Sequence, residues 1–214
     1  MTLREKLEAR KAASADKIPA HVKAVMGRSL EELRHSGIVG RALSVGDEAP
    51  DFTLPNAGGG TVHLAELLTA GPVVISFYRG GWCPYCNLEL AALQEAVTEL
   101  EEAGGGLVAI SPNLPDESLT TVERHALGFP VLSDVGNVVA RRFGLVFEVP
   151  DDLEAVYRAM GHDIGKVNGT DRWEIPLPAI YVVDPAGAIR FAFVDADYRN
   201  RAEPADIVEV LRTL

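Results

Sequence analysis

Cysteine is almost absent from this sequence: its 214 residues hold two, Cys83 and Cys86, three positions apart. A pair that close shuts almost no loop, so it cannot be the disulfide framework of a small secreted domain. In a reducing compartment it reads as catalytic, or as half of a metal site. The other half of such a site is missing. Zinc takes about four ligands, there is no second Cys-x-x-Cys, and His21, His35, His63, His125 and His162 show no ligand spacing. Long hydrophobic runs are absent as well. The longest, Pro72 to Phe77, falls far below the roughly 20 residues that span a bilayer. The charged start, Met1 to Lys11, lacks the apolar segment of an export signal, so a cytoplasmic protein is expected. Positive charge is in deficit, with 20 basic against 31 acidic residues and a net charge of −11. That weighs against nucleic acid as a partner and suits small molecules or other proteins.

What is present is an ample core, since 47% of the residues are apolar. Residues 1–43 read as a helical extension and 44–214 as the main domain. In the extension, Leu3 and Leu7 share one helical face. Ile18-Pro19 opens a second short helix carrying Val22, Val25 and Met26. Ser29 and Glu32 have the spacing of a capping box that starts a third, with Leu30 and Leu33. The extension carries no evident chemistry and is expected to pack on the domain or against a second copy, as in a homodimer.

From Val45 the texture changes. Asn56 to Gly60 reads as a hairpin turn before a short strand at Thr61 to Leu64. Pro72 to Tyr78 is apolar on both faces, as a central strand should be. A helix over Leu88–Leu100 ends at Gly104-Gly105-Gly106. Strands over 107–111 and 131–133 alternate with helices over 117–126 and 137–143. A long connection, 147–178, holds a helical piece near 152–160; loops of that length are often lids or interfaces. Strands at 179–183 and 189–194 meet at Asp184-Pro185-Ala186-Gly187, and a helix closes the chain. Alternating strands and helices followed by an antiparallel pair give an α/β fold with a mixed central sheet.

The informative segment runs Phe77-Tyr78-Arg79-Gly80-Gly81-Trp82-Cys83-Pro84-Tyr85-Cys86. It leaves a buried strand and opens a helix, with Cys83 near the N-cap, Pro84 at the first helical position and Cys86 in the first turn. Free N–H groups and the helix dipole stabilise a thiolate there. The thiolate is the nucleophile, and three-residue spacing lets the second sulfur close a disulfide. Trp82 and Tyr85 are candidates for shaping the site. Arg79 could supply a cation to the sulfurs, but it reads first as a solvated or salt-bridged arginine. The polar run Asp195 to Arg201 could line the cleft, but reads first as a solvated loop with internal ion pairs.

Trp82-Cys83-Pro84-Tyr85-Cys86 resembles the active-site turn of thioredoxins and glutaredoxins. The wider pattern resembles peroxiredoxins of the alkyl hydroperoxide reductase/thiol-specific antioxidant superfamily. The matching stretches are Gly46 to Leu54, the strand ending Phe77-Tyr78, Phe129 to Asp134, and Tyr181 to Asp184 before Gly187. The resemblance implies a thioredoxin-like fold, no cofactor, and reduction of hydrogen peroxide or organic hydroperoxides, with recycling by thioredoxin or a similar reductant. With Phe77-Tyr78 aligned, the peroxidatic position of the family's Pro-x-x-x-Thr-x-x-Cys falls on Cys86, the Thr position on Cys83 and the Pro position on Arg79. Cys86 would then attack and Cys83 resolve. The family's distal arginine should fall just before residues 179–183, where Pro178 stands instead. Pro178 also occupies the place of the cis-proline of thioredoxin-like folds and is expected in cis. Two other readings remain open: a dithiol–disulfide oxidoreductase with Cys83 as nucleophile and Cys86 resolving, and a non-enzymatic redox sensor.

Overall fold

The computed structural model describes residues 1–15 and 17–214. Three N-terminal helices, α1 (Leu3–Ala15), α2 (Ala20–His35) and α3 (Ile38–Arg41), precede a hairpin of β1 (Thr53–Pro55) and β2 (Thr61–His63). Then come α4 (Leu64–Leu68), β3 (Val73–Phe77), α5 (Pro84–Glu95), α6 (Val97–Glu102), β4 (Gly106–Ser111), α7 (Pro115–His125), β5 (Val131–Ser133) and α8 (Val138–Arg142). The chain ends through β6 (Val146–Glu148), α9 (Asp151–Ala159), α10 (Ile164–Asn168), β7 (Glu174–Pro176), β8 (Ala179–Val183), β9 (Ile189–Val194) and α11 (Pro204–Leu211).

The central sheet has the order β5-β4-β3-β8-β9. β3 lies parallel to β4 and antiparallel to β8, so the sheet is mixed as expected. All five residues of β3 are buried, because helices cover both faces of the sheet. Val74 faces a cluster with Leu90, Leu93, Val182 and Ile207, while Ile75 and Phe77 face one with Phe143, Leu145 and Tyr181. Among the described residues no helix is long and apolar enough to cross a membrane.

Two local readings are corrected. The second and third N-terminal helices are one, α2, with Ser29 in its middle. No proline interrupts this run, and Val22, Val25, Met26 and Leu33 all find apolar seats on the domain, so the helix continues through the capping pattern. The helix starts at Pro84, as the Cys-x-x-Cys turn implied, but the run read over 88–100 breaks at Ala96, whose N–H is shared between the carbonyls of Ala92 (3.1 Å) and Leu93 (3.2 Å).

The extension spends its apolar faces on its own domain. Leu3 and Leu7 join the cluster beneath α5, and Val22, Val25 and Met26 pack against Leu153, Val156 and Tyr157 of the connection. The N–H groups of Leu3 and Arg4, orphan donors at the start of α1, reach the carboxylate of Glu203 at 3.2 and 2.6 Å. The long connection is a built unit. β6 pairs with β7 at its neck, and α9 and α10 enclose a small core around Ile164, Trp173 and Ile175.

Candidate active site

β3 ends at Phe77, and the Tyr78 N–H still bonds to Ile110 O (2.9 Å) before the chain turns toward α5. The turn is pinned from outside. Gly81 N–H donates to Asn113 Oδ1 (3.0 Å), Asn87 Nδ2 donates to Gly81 O (3.0 Å), and Asn113 is held by Asn168 (2.8 Å). Gly80 adopts φ +134°, and a Cβ there would lie 2.5 Å from Trp82 Nε1 and 2.8 Å from Asn113 Oδ1. Gly80→Ala is therefore expected to destabilise the protein by about 2 kcal/mol or more. Urea unfolding measures this, and a change within 0.5 kcal/mol, about the level of an ordinary surface substitution, would show that the turn is not constrained as described.

Cys83 caps α5 and Pro84 fills its first position, placing Cys83 at the positive end of a 12-residue helix. Both cysteines are free thiols. Cys83 is 1% exposed and lines a cavity of about 450 Å³; Cys86 is fully buried and does not line it. Behind Cys86 lies an internal ion pair. Arg201 Nη2 stands 3.5 Å from Cys86 Sγ, and Arg201 Nη1 donates to Glu89 at 3.1 Å. On the cavity side, the Arg79 guanidinium sits over three rings, 4.4 Å from Tyr198, 4.7 Å from Trp82 and 5.6 Å from Tyr157. It also donates to the Tyr157 hydroxyl at 2.5 Å. Cation–π contact and one hydrogen bond hold this charge where no carboxylate neutralises it among the described residues. Nε of both arginines has no partner among the described residues, so each keeps a buried donor in reserve.

These charges divide the two sulfurs. Burial works against a Cys83 thiolate, but the Cys86 thiol donating to it and the cations Arg79 and Arg201 prevail, holding Cys83 well below the ordinary thiol range. Burial and the neighbouring Cys83 thiolate push Cys86 well above that range, with Arg201 opposing. Burial also lifts Glu89 to about 7 despite Arg201. Burial keeps His162, stacked 5.7 Å from Trp82, below its usual value. A lowered thiol pKa preserves the thiolate as pH falls, until pH passes the lowered value. Alkylation of the reduced protein by iodoacetamide should therefore occur at Cys83, with a midpoint well below the ~8.5 of a free thiol. A midpoint at or above that value would contradict this charge arrangement.

The structure brings Cys83, Cys86, Arg79, Trp82, Pro84 and Tyr85 into one site and corrects three expectations. Arg79 is buried at the cavity, not solvated, because three aromatic rings replace water around it. Pro178 is trans and opens β8, with its neighbour Ala179 paired to Phe77 of β3. The run 195–201 has its internal ion pairs, Arg199 to Asp197 at 2.7 Å among them, yet Asp197 and Arg201 are buried and Tyr198 covers Arg79. Glu89 and Tyr157 went unread in the sequence, and His162, Tyr198 and Arg201 were read without a role beside the sulfurs. One signal was available: Glu89 stands one turn after Cys86, beside Leu90 and Leu93 of a buried helix face. Among the described residues no group of His, Cys, Asp and Glu could hold a metal.

Peroxiredoxin Q of wheat chloroplasts (Triticum aestivum) is 28% identical over 169 residues, covering 79% of this chain and 65% of its own length. Peroxiredoxin Bcp of Escherichia coli is 32% identical over 103 residues, covering 48% and 65%. The chain thus spans just under two thirds of these relatives' length. Among solved structures, peroxidoxin BcpB of Mycobacterium tuberculosis shares the fold at a TM-score of 0.63 and 22% identity, covering 80% of this chain and 98% of that one. A reduced 2-Cys peroxiredoxin of Plasmodium vivax matches at 0.61 and 18% identity, covering 79% and 80%. Residues 45–192 match the family model described as AhpC/TSA, more than half of the chain, and on that ground the protein belongs to the AhpC/TSA family.

Proposed function

We propose that the protein is a thiol peroxidase that reduces hydroperoxides through the Cys83–Cys86 pair. The observation that carries this is a buried Cys83, favoured as thiolate, at a cavity of about 450 Å³ beside the unneutralised Arg79 guanidinium. Peroxide reduction needs a thiolate and a donor that polarises the O–O bond. Cys83 Sγ attacks a peroxide oxygen, the O–O bond breaks, and the alcohol or water leaves after taking up a proton. Cys83 becomes a sulfenic acid. The Cys86 thiol then attacks the Cys83 sulfur, water departs, and a disulfide forms. A dithiol such as thioredoxin, in a cytoplasmic setting, returns both sulfurs to thiols.

Burial and charge favour this order over the one implied by the family alignment, in which Cys86 attacks. Arg201 places a second cation near the sulfurs, beside Cys86, from a different part of the chain. Dithiol–disulfide exchange is the second reading, supported by the low-pKa Cys83 at a helix N-terminus. A cavity that leaves Cys83 1% exposed favours a small substrate over a protein disulfide. Mixing the reduced protein with one equivalent of hydrogen peroxide, followed by tryptophan fluorescence in stopped flow, tests the proposal. Oxidation much faster than that of a free thiol of matched pKa is expected. A rate no faster refutes the peroxidase reading, and insulin-type disulfide reduction then decides between exchange and a redox sensor without turnover.

A further inference from the structure

The cavity above Cys83 is only partly made by the domain that carries the cysteines. Its opposite wall is α1 and α2, which precede residue 45, where the family match begins. The lining is apolar at Met26 and Leu30 of α2, at Ile18 between the two helices, and at Trp82 and Met160. Five basic residues line the cavity, namely Arg10, Lys11, Lys23, Arg79 and Arg199, and no acidic residue does so among those described. Acidic residues outnumber basic ones 31 to 20 in the chain, so this concentration of positive charge runs against its composition. Arg199 is offset by Asp197, whereas Arg10, Lys11 and Lys23 are exposed at the mouth and Arg79 is buried beside Cys83. A volume of about 450 Å³ is that of a pocket for a small organic ligand and far exceeds what hydrogen peroxide requires.

We propose that this cavity binds an anionic amphiphile: an organic hydroperoxide with an apolar body and a carboxylate. The body lies between the α1–α2 wall and Trp82, the carboxylate meets the cations at the mouth, and the peroxide group reaches Cys83. The assignment of a hydroperoxide rests on the peroxidase reading; the binding of an apolar carboxylate does not.

Two measurements separate these claims. In the first, unreactive dodecanoate and dodecanol are titrated into the reduced protein, with tryptophan fluorescence as readout. Dodecanoate should bind at least about tenfold more tightly, lose that advantage at high salt, and lose it in Lys11→Glu/Lys23→Glu. Both lysines are exposed, so the variant should fold, and circular dichroism verifies this. Equal affinity of acid and alcohol, no binding of either, or an unaltered preference in the variant overturns the proposal.

In the second, kcat/KM is compared for a fatty-acid hydroperoxide and its methyl ester. The acid should be preferred about tenfold or more, with the preference erased in the same variant. Selective binding of dodecanoate without peroxide reduction would leave the anion site standing and remove the peroxidase reading. Fast reduction of hydrogen peroxide with no discrimination between acid and ester would do the reverse.

Discussion

Cys83→Ser should abolish peroxide-dependent turnover, lowering kcat/KM by at least about a thousandfold, because it removes the attacking sulfur itself. Cys86→Ser should behave differently. Its first oxidation by peroxide should stay within about tenfold of the wild-type rate and then stop at a Cys83 sulfenic acid, trapped by dimedone and located by mass spectrometry. The contrast follows from placement: Cys83 lines the cavity and is favoured as thiolate, while Cys86 is fully buried and held as thiol. The opposite pattern, with sulfenic acid on Cys86 in a Cys83→Ser protein, would restore the order implied by the family alignment. It would also show that Arg201, 3.5 Å from Cys86, activates that sulfur.

Arg201→Met should produce the largest loss of stability. Removing one member of a buried ion pair leaves an uncompensated charge, at a cost of about 3–5 kcal/mol. Here the cost should depend on pH. Glu89 already sits at about 7, above the ordinary carboxyl range, so the native state holds its proton more tightly than the unfolded state. Stability therefore falls as pH rises from the ordinary carboxyl range to the native value, and levels beyond it. Without Arg201 the native value moves higher and the decline extends past 7, so urea unfolding should show a greater loss at pH 8 than at pH 6. Arg201→Met/Glu89→Gln should recover much of that stability. The rate of peroxide oxidation should remain reduced, by about tenfold or more, since the cation near the sulfurs is still missing. Full kinetic recovery in the double variant would mean that Arg201 serves structure alone.

What could be read in advance was local. The apolar run before Tyr78, the Gly-Gly turn and the proline after Cys83 specify strand, turn and helix start within a dozen residues, and the structure has all three. The hairpins at 56–60 and 184–187 were legible for the same reason. The chemistry around the sulfurs was not, because it is assembled over long separations: Arg201 meets Glu89 across 112 positions, and Arg79 meets Tyr157 across 78. An arginine in a polar run reads as solvated unless its tertiary partners are known. The Ser29–Glu32 pattern misled in the other sense, since a capping signal has no effect where tertiary seats carry the helix straight through it.

The contact between the start of α1 and Glu203 orders events in time. α1 leaves the ribosome early, yet the carboxylate that receives its N-terminus is made some 200 residues later. Closing so long a loop adds little to the equilibrium cost, which grows only with the logarithm of its length, but it places that contact late in folding. The helix beginning at Cys83 can form well before its canopy has a complete seat. The nascent protein would thus pass through an interval in which its most reactive sulfur is uncovered, and the cavity that selects what may reach it would be finished last.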